Sequence, residues 1–192
     1  SINLLKDPAS GDLLAFGYLT DITERRQREA ELVYKSERDF LTKLYNRSAV
    51  EKRFSEYAAS ASGDGLLAFF SMDLDGFKNV NDTLGHLEGD TLLQLVAREL
   101  ESCFRVDDIV GRLGGDEFFL ILIDYAEEDA KNITERIRQH LRTIDVNKRV
   151  NFSWGACSMA PGDSLADTMQ IADARLYENK KQKKHVHPGR ED

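Results

Sequence analysis

The 192-residue chain is short of cysteine, of long apolar runs and of positive charge, and each shortage removes a class of function. Its two cysteines, Cys103 and Cys157, lie far apart and beside no histidine pair. That pattern argues for buried free thiols in a reducing compartment, and against a disulfide framework or a zinc site. The longest apolar run, Leu66–Phe70, is far shorter than the roughly 20 residues a membrane helix needs. No signal-peptide pattern is visible, so we expect a cytoplasmic segment without direct membrane contact. The start at Ser1 without a Met leads us to expect a piece of a longer, conceivably membrane-tethered, protein. Lys and Arg number 26 against 34 Asp and Glu, for a net charge of −8. This argues against nucleic acid as a partner, and a nucleotide would need local cations or metal ions to hold its phosphates. What is present, 41% apolar and 31% charged residues, describes a globular domain long enough to bury a core.

Residues 1–22 carry two strand-like pieces, Ile2–Leu5 and Leu13–Leu19, around the turn residues Asp7-Pro8-Ala9-Ser10-Gly11-Asp12. Two strands alone make no stable domain. The stretch Gly17–Arg26 resembles the closing strand and exit of a PAS sensor domain, so 1–22 are expected to be its C-terminal remnant. Residues 23–38 lack Gly and Pro, are rich in charge and predict a linker helix with Glu24–Arg28 paired and Thr20 or Asp21 as cap.

From residue 39 the pattern predicts helix Ser48–Ala59, with Ser48 and Glu51 forming a capping box, then a buried strand Leu66–Leu74. A loop or broken helical turn over 79–89 follows, then helix Asp90–Phe104. A hairpin comes next, Ile109–Leu113 with Phe118–Ile123, then helix Glu127–Arg142, strand Arg149–Met159 and helix Leu165–Lys180. This order predicts an α/β domain, an α+β sandwich, with helices flanking a central mixed β-sheet. Lys180-Lys181-Gln182-Lys183-Lys184 would suit a helix C-terminus, and 185–192 form a tail.

Two groups of carboxylates stand at places where chains turn. Gly114-Gly115-Asp116-Glu117 forms the tip of the hairpin, where the glycines tolerate positive φ and admit a ligand close to the backbone. Asp73 and Asp75 end the buried strand two residues apart, on one face. A buried carboxylate is costly without a positive partner, and hard oxygen donors of this kind suit Mg²⁺. On its own the hairpin tip reads more readily as a solvated acidic turn, and the strand end reads equally well as one.

Taken together the segments are more specific. Arg112-Leu113-Gly114-Gly115-Asp116-Glu117-Phe118 resembles the signature of the GGDEF family of diguanylate cyclases. Asp39–Arg47 resembles the family's opening D-x-L-T-x-L-x-N-R, with Lys43 where glycine is usual. Asp73–Asp82, Gly85-His86, Gly89-Asp90, Ser153-Trp154-Gly155 and Leu176-Tyr177 follow in the family's order, so the resemblance covers 39–184. It implies a fold similar to class III nucleotide cyclases and the joining of two GTP into cyclic di-GMP with release of two pyrophosphates.

The resemblance also implies roles. Asp73, the Leu74 carbonyl, Asp116 and Glu117 would hold Mg²⁺ or Mn²⁺, and Asp116 would activate the attacking hydroxyl, directly or through metal. Asn81 and Asp90 would read guanine. Gly76, Phe77, Lys78, Gly114, Gly115, Lys180 and Lys184 would receive the triphosphate, Lys184 replacing the family's arginine without its planar fork. Arg105 and Asp108 would form an R-x-x-D site for the product, cyclic di-GMP, and catalysis would need a homodimer.

Two other readings stand beside an active cyclase. One is a non-catalytic GTP- or cyclic di-GMP-binding module. The other is a domain that supports dimerisation for a C-terminal effector such as a phosphodiesterase.

Overall fold

The computed structural model describes residues 2–6, 10–11, 13–17, 20–60, 67–125, 129–144, 150–159 and 163–186. The chain divides into two compact units, Ser1–Ser36 and Glu37–Asp192. In the first, β1 (Ile2–Lys6) and β2 (Leu13–Gly17) pair antiparallel, and α1 (Thr23–Glu37) begins on Asp21, whose carboxylate accepts the Thr23 N–H at 2.8 Å. Ion pairs four residues apart, Glu24–Arg28, Arg25–Glu29 and Glu31–Lys35, run along α1, which buries none of its residues. Of the described residues no helix is long and apolar enough to cross a membrane.

The second unit continues with α2 (Arg47–Ser60), β3 (Leu67–Asp75), α3 (Phe77–Leu84), α4 (His86–Cys103), β4 (Ile109–Gly114), β5 (Glu117–Ile123), α5 (Ala130–Ile144), β6 (Asn151–Met159) and α6 (Leu165–Val186). Its sheet has the order β4-β5-β3-β6, and every strand pair is antiparallel. The expected mixed sheet is therefore corrected. The crossovers through α3–α4 and through α5 do join parallel strands, but in each case another strand is inserted between the two, as in a split βαβ unit. β5 separates β3 from β4, and β3 separates β5 from β6.

β3 is the centre of the sheet and is buried from Leu67 through Leu74. Alternate side chains face opposite layers. Phe70, Met72, Phe118 and Leu120 pack with Leu93, Leu100, Ile133 and Ile137 from α4 and α5. Phe69, Phe119 and Ile121 pack with Val50, Phe54 and Ala172 from α2 and α6, the rings of Phe69 and Phe119 stacked at 6.4 Å. A sheet covered on both faces by helices results. Trp154 leans on Phe70 at the edge of the first layer, 6.2 Å between centroids, in a packing role.

Several local expectations shift. α2 is capped by Asn46, whose side-chain oxygen accepts the Ala49 N–H at 3.0 Å, and not by Ser48. Asn46 is preferred because its backbone is already held by the Glu37 carbonyl at 3.0 Å, which places it just ahead of the helix. Residues 79–89 are helical, broken only at Gly85 (φ 92°), where the backbone of Asn81 accepts the Gly85 N–H. The starts expected at Glu127 and Arg149 fall outside the described residues. Neither cysteine forms a disulfide, Cys157 is buried and Cys103 half-buried, and burial pushes the Cys103 thiol up to about 11.

Candidate active site

The site lies where β3 ends. Ser71, Asp73 and Asp75 share one face of that strand and meet α6 in three rungs. Ser71 donates to Asp173 at 2.6 Å, Lys180 pairs with Asp73 at 2.6 Å, and Lys183 pairs with Asp75 at 2.7 Å. α6 can lie so close because residue 155 on β6 is glycine. A Cβ there would collide with the Ala172 carbonyl and the Leu176 N–H. Gly155 thus sets the distance at which the α6 lysines reach the β3 carboxylates.

Opposite this ladder stands the hairpin tip. Asp73 is in register with Glu117 of β5, and the Leu74 N–H donates to the Asp116 carbonyl at 3.3 Å, so β3 and the tip are stitched together. The turn itself is tight. Gly114 pairs with Glu117, and Gly115 takes φ 55° as the first of two central residues, the place where a type II′ turn requires glycine. An irregularity between Arg112 and Gly114 re-aims the tip.

Arg112 braces that turn. Its Nε and a terminal nitrogen both donate to the Gly115 carbonyl, at 2.9 and 2.7 Å, and its other terminal nitrogen reaches Asp39 at 2.9 Å. The same Asp39 oxygen accepts the Thr42 N–H and hydroxyl at 2.8 and 2.6 Å. Burial works against ionisation of Asp39, but Thr42 and Arg112 together outweigh it and hold the carboxyl below its usual value. Residues 39–42 are therefore a bracket for the signature turn. Sequence reasoning quoted Asp39 and Arg112 as parts of motifs and assigned neither this job.

Asp73 is buried, while Asp116 is half-buried and Glu117 exposed. Burial holds the Asp73 carboxyl above its ordinary range. Lys180 opposes that shift, and the neighbouring Asp116 and Asp75 charges reinforce it. A buried carboxylate that one ammonium does not fully compensate, with a second carboxylate beside it, fits a hard divalent cation. Among the described residues no ready-made group of three or more His, Cys, Asp or Glu ligands is assembled.

Gly76 (φ 75°) turns the chain from β3 into α3 with no side-chain cap on the first N–H groups of the helix. Asn81 is half-buried and its amide lies against the backbone of Gly89, where a Cβ would collide with it. Asn81 thereby lies beside the residue that precedes exposed Asp90. Lys78 is exposed, and the Lys184 side chain lies outside the described residues. Lys183 is the residue that sequence reasoning passed over.

The profile of the family described as "Diguanylate cyclase, GGDEF domain" matches residues 36–185. The chain belongs to the GGDEF family. A probable diguanylate cyclase, DgcJ of Escherichia coli, is 39% identical over 149 residues, covering 76% of this chain and 29% of DgcJ. A Vibrio cholerae diguanylate cyclase is 32% identical over 172 residues, 86% of this chain and 53% of its own. The chain thus spans about half or less of the length of these curated relatives. Among solved structures, the coiled coil and GGDEF domain of Caulobacter crescentus DgcB, crystallised with cyclic di-GMP, superposes with a TM-score of 0.75 at 27% identity. That match covers 84% of this chain and 89% of that one. Pseudomonas aeruginosa SiaD, crystallised with its activator SiaC, gives 0.68 at 36% identity, covering 84% and 66%.

The GGDEF hairpin is bordered on its other side by Arg105 and Asp108. Asp108 is buried, and its two oxygens accept the N–H groups of Arg105 and Ile123 at 2.9 and 3.1 Å. Its carboxylate closes the turn into β4, and exposed Arg105 projects from that turn with its guanidinium 5.6 Å from the Tyr125 ring centroid.

Proposed function

We propose that this chain is the catalytic part of a diguanylate cyclase that condenses two GTP into cyclic di-GMP. The observation that carries the reading is the buried Asp73, incompletely neutralised and stitched to a signature turn that Arg112 holds rigid. Such a turn keeps Asp116 in place without using its carboxylate as a structural group.

Each turnover forms two bonds from a 3′-oxygen to an α-phosphorus and breaks two α–β phosphoanhydride bonds, releasing two pyrophosphates. One GTP lies on each domain, so two domains must meet face to face as a homodimer. Asp90 accepts from guanine N1–H and the 2-amino group, and Asn81 binds beside it. Adenine has an acceptor at N1 and no 2-amino group, so ATP would leave Asp90 unpaired. The N–H groups of Gly76 and Phe77, with Lys78, Lys180 and Lys184, receive phosphate oxygens. Gly114 and Gly115 let the nucleotide lie on bare backbone. Mg²⁺ or Mn²⁺, held by Asp73, Asp116 and the Leu74 carbonyl with Glu117 beside them, would supply positive charge at the α-phosphate and acidify the 3′-hydroxyl. Phosphoryl transfer depends chiefly on such positioning and charge.

Arg105 is read as the product-inhibition contact. Asp108 serves that site by fixing the turn from which Arg105 projects. Residues 1–22 are read as the end of a PAS-like sensor, 23–38 as the linker that conveys its state, 39–184 as the cyclase domain and 185–192 as a tail, all in the cytoplasm.

The test is purified chain with GTP and Mg²⁺, product followed by chromatography across protein concentrations. Cyclic di-GMP should appear with a rate that rises more steeply than linearly with protein, as dimerisation becomes less limiting. Absence of product at every concentration would leave the non-catalytic binding module as the better reading.

A further inference from the structure

The two lysines of the ladder are unequal. Lys183 has three acceptors for its three N–H donors: Asp75 at 2.7 Å, the Phe152 carbonyl at 2.5 Å and Ser153 Oγ at 3.1 Å. Lys180 has one, Asp73 at 2.6 Å, among the described residues. The difference is not one of burial, since the two side chains are 36% and 37% exposed. The carboxylates differ in the same sense. Both oxygens of Asp75 are committed, one to Lys183 and the other to the Ser153 hydroxyl at 2.5 Å. Asp73 is the more buried of the two, and among the described residues Lys180 alone is its ion-pair partner.

We propose that Lys183 is a fixed anchor and Lys180 an exchangeable internal counter-ion. Lys180 occupies Asp73 in the resting site, leaves it when a divalent cation arrives, and is thereby freed to meet the triphosphate. Lys183 meanwhile shares Asp75 with the Ser153 hydroxyl and pins the last turns of α6, so that Lys180, one helical turn earlier on the same face, is displaced over a short distance only. The proposal rests on the assignment of Asp73 to the metal site made above.

The consequence is coupling between ligands. A cation that binds alone must break the Lys180–Asp73 pair without compensation. In the presence of a triphosphate the displaced ammonium gains a new partner, so metal and nucleotide reinforce one another's binding. The resting site is protected from loading with metal alone, although its carboxylates are in place.

The experiment measures Mn²⁺ binding to the nucleotide-free chain by titration calorimetry and by electron paramagnetic resonance. Wild type is compared with Lys180→Met, Lys180→Arg and Lys183→Met. Removing the competing ammonium in Lys180→Met should tighten Mn²⁺ by about fivefold, at the low end of typical couplings. Lys180→Arg keeps a cation on Asp73 and should stay near wild type. Lys183→Met leaves Lys180 in place and should change affinity by no more than about twofold. Unchanged or weaker Mn²⁺ binding in Lys180→Met overturns the exchange. Equal tightening by Lys180→Met and Lys183→Met also overturns it, because the effect would then be one of general charge. GTP added with Mn²⁺ keeps the two readings separate. If no nucleotide binds, the functional reading fails, while the nucleotide-free comparison still decides the exchange.

Discussion

At the start of β4 the Arg105–Asp108 turn is closed by its own aspartate, whereas at the far end the Gly114–Glu117 turn is braced by Arg112, which the distant Asp39 holds. Asp108 is buried and gives one oxygen to the Arg105 N–H and the other to the Ile123 N–H. Asp116 sits in a turn whose shape comes from Gly115 at φ 55° and from the Arg112 guanidinium on the Gly115 carbonyl. One carboxylate is thus structural, and the other is released from structural work. Two aspartates at opposite ends of the same strand therefore call for opposite expectations when each is removed.

The largest effect is expected at Asp116. Asp116→Asn keeps the shape and the turn but removes a charge from the proposed metal and phosphate site. Turnover should fall by about a thousandfold with the unfolding midpoint unchanged. An equal loss of stability would erase the contrast, because Asp116 would then be holding the turn as Asp108 does. Asp108→Ala is the converse. It strands two N–H groups, one of them at the end of β5, and should cost about 2 kcal/mol of stability. Turnover per folded molecule, read at early times before product accumulates, should stay within a few-fold of wild type. Urea unfolding beside initial-rate measurements decides it, and a variant as stable as wild type would show that the carboxylate is not needed to close the turn.

The sequence made the hairpin and the buried strand ending in Asp73 and Asp75 readable, because each depends on residues close together in the chain. What escaped depends on distance or on phase. Asp39 and Arg112 are 73 residues apart, and no local pattern joins them. Lys183 and Lys184 both lie near the face of Lys180 on a helix, at three and four residues, so spacing alone does not choose between them. The choice is made by the acceptors grouped around Asp75, Phe152 and Ser153. The antiparallel sheet was hidden for a similar reason, since helical crossovers suggest parallel neighbours until the inserted strand is known. Asn46 in place of Ser48 shows the same limit at short range. Both are good caps, and the backbone bond to Glu37 decides.

The smallest effect tests the brace itself. Asp39 is ionised more readily in the folded chain than its ordinary value of 3.8, because Thr42 and Arg112 outweigh the opposing cost of burial. A carboxyl with a depressed folded pKa binds fewer protons folded than unfolded in the window between the two values, so stability there rises with pH. Its contribution is therefore complete above about 3.8 and is lost as pH falls through the lower folded value. Asp39→Asn should flatten the acid limb of the stability curve in that window, and Arg112→Ala should flatten it in part, since Thr42 remains. Denaturant midpoints followed from pH 5 to pH 2 would measure both. Identical acid slopes in wild type and Asp39→Asn would mean that Asp39 is not held as an anion, and the rigidity of the signature turn would then need a source other than the Asp39–Arg112 bracket.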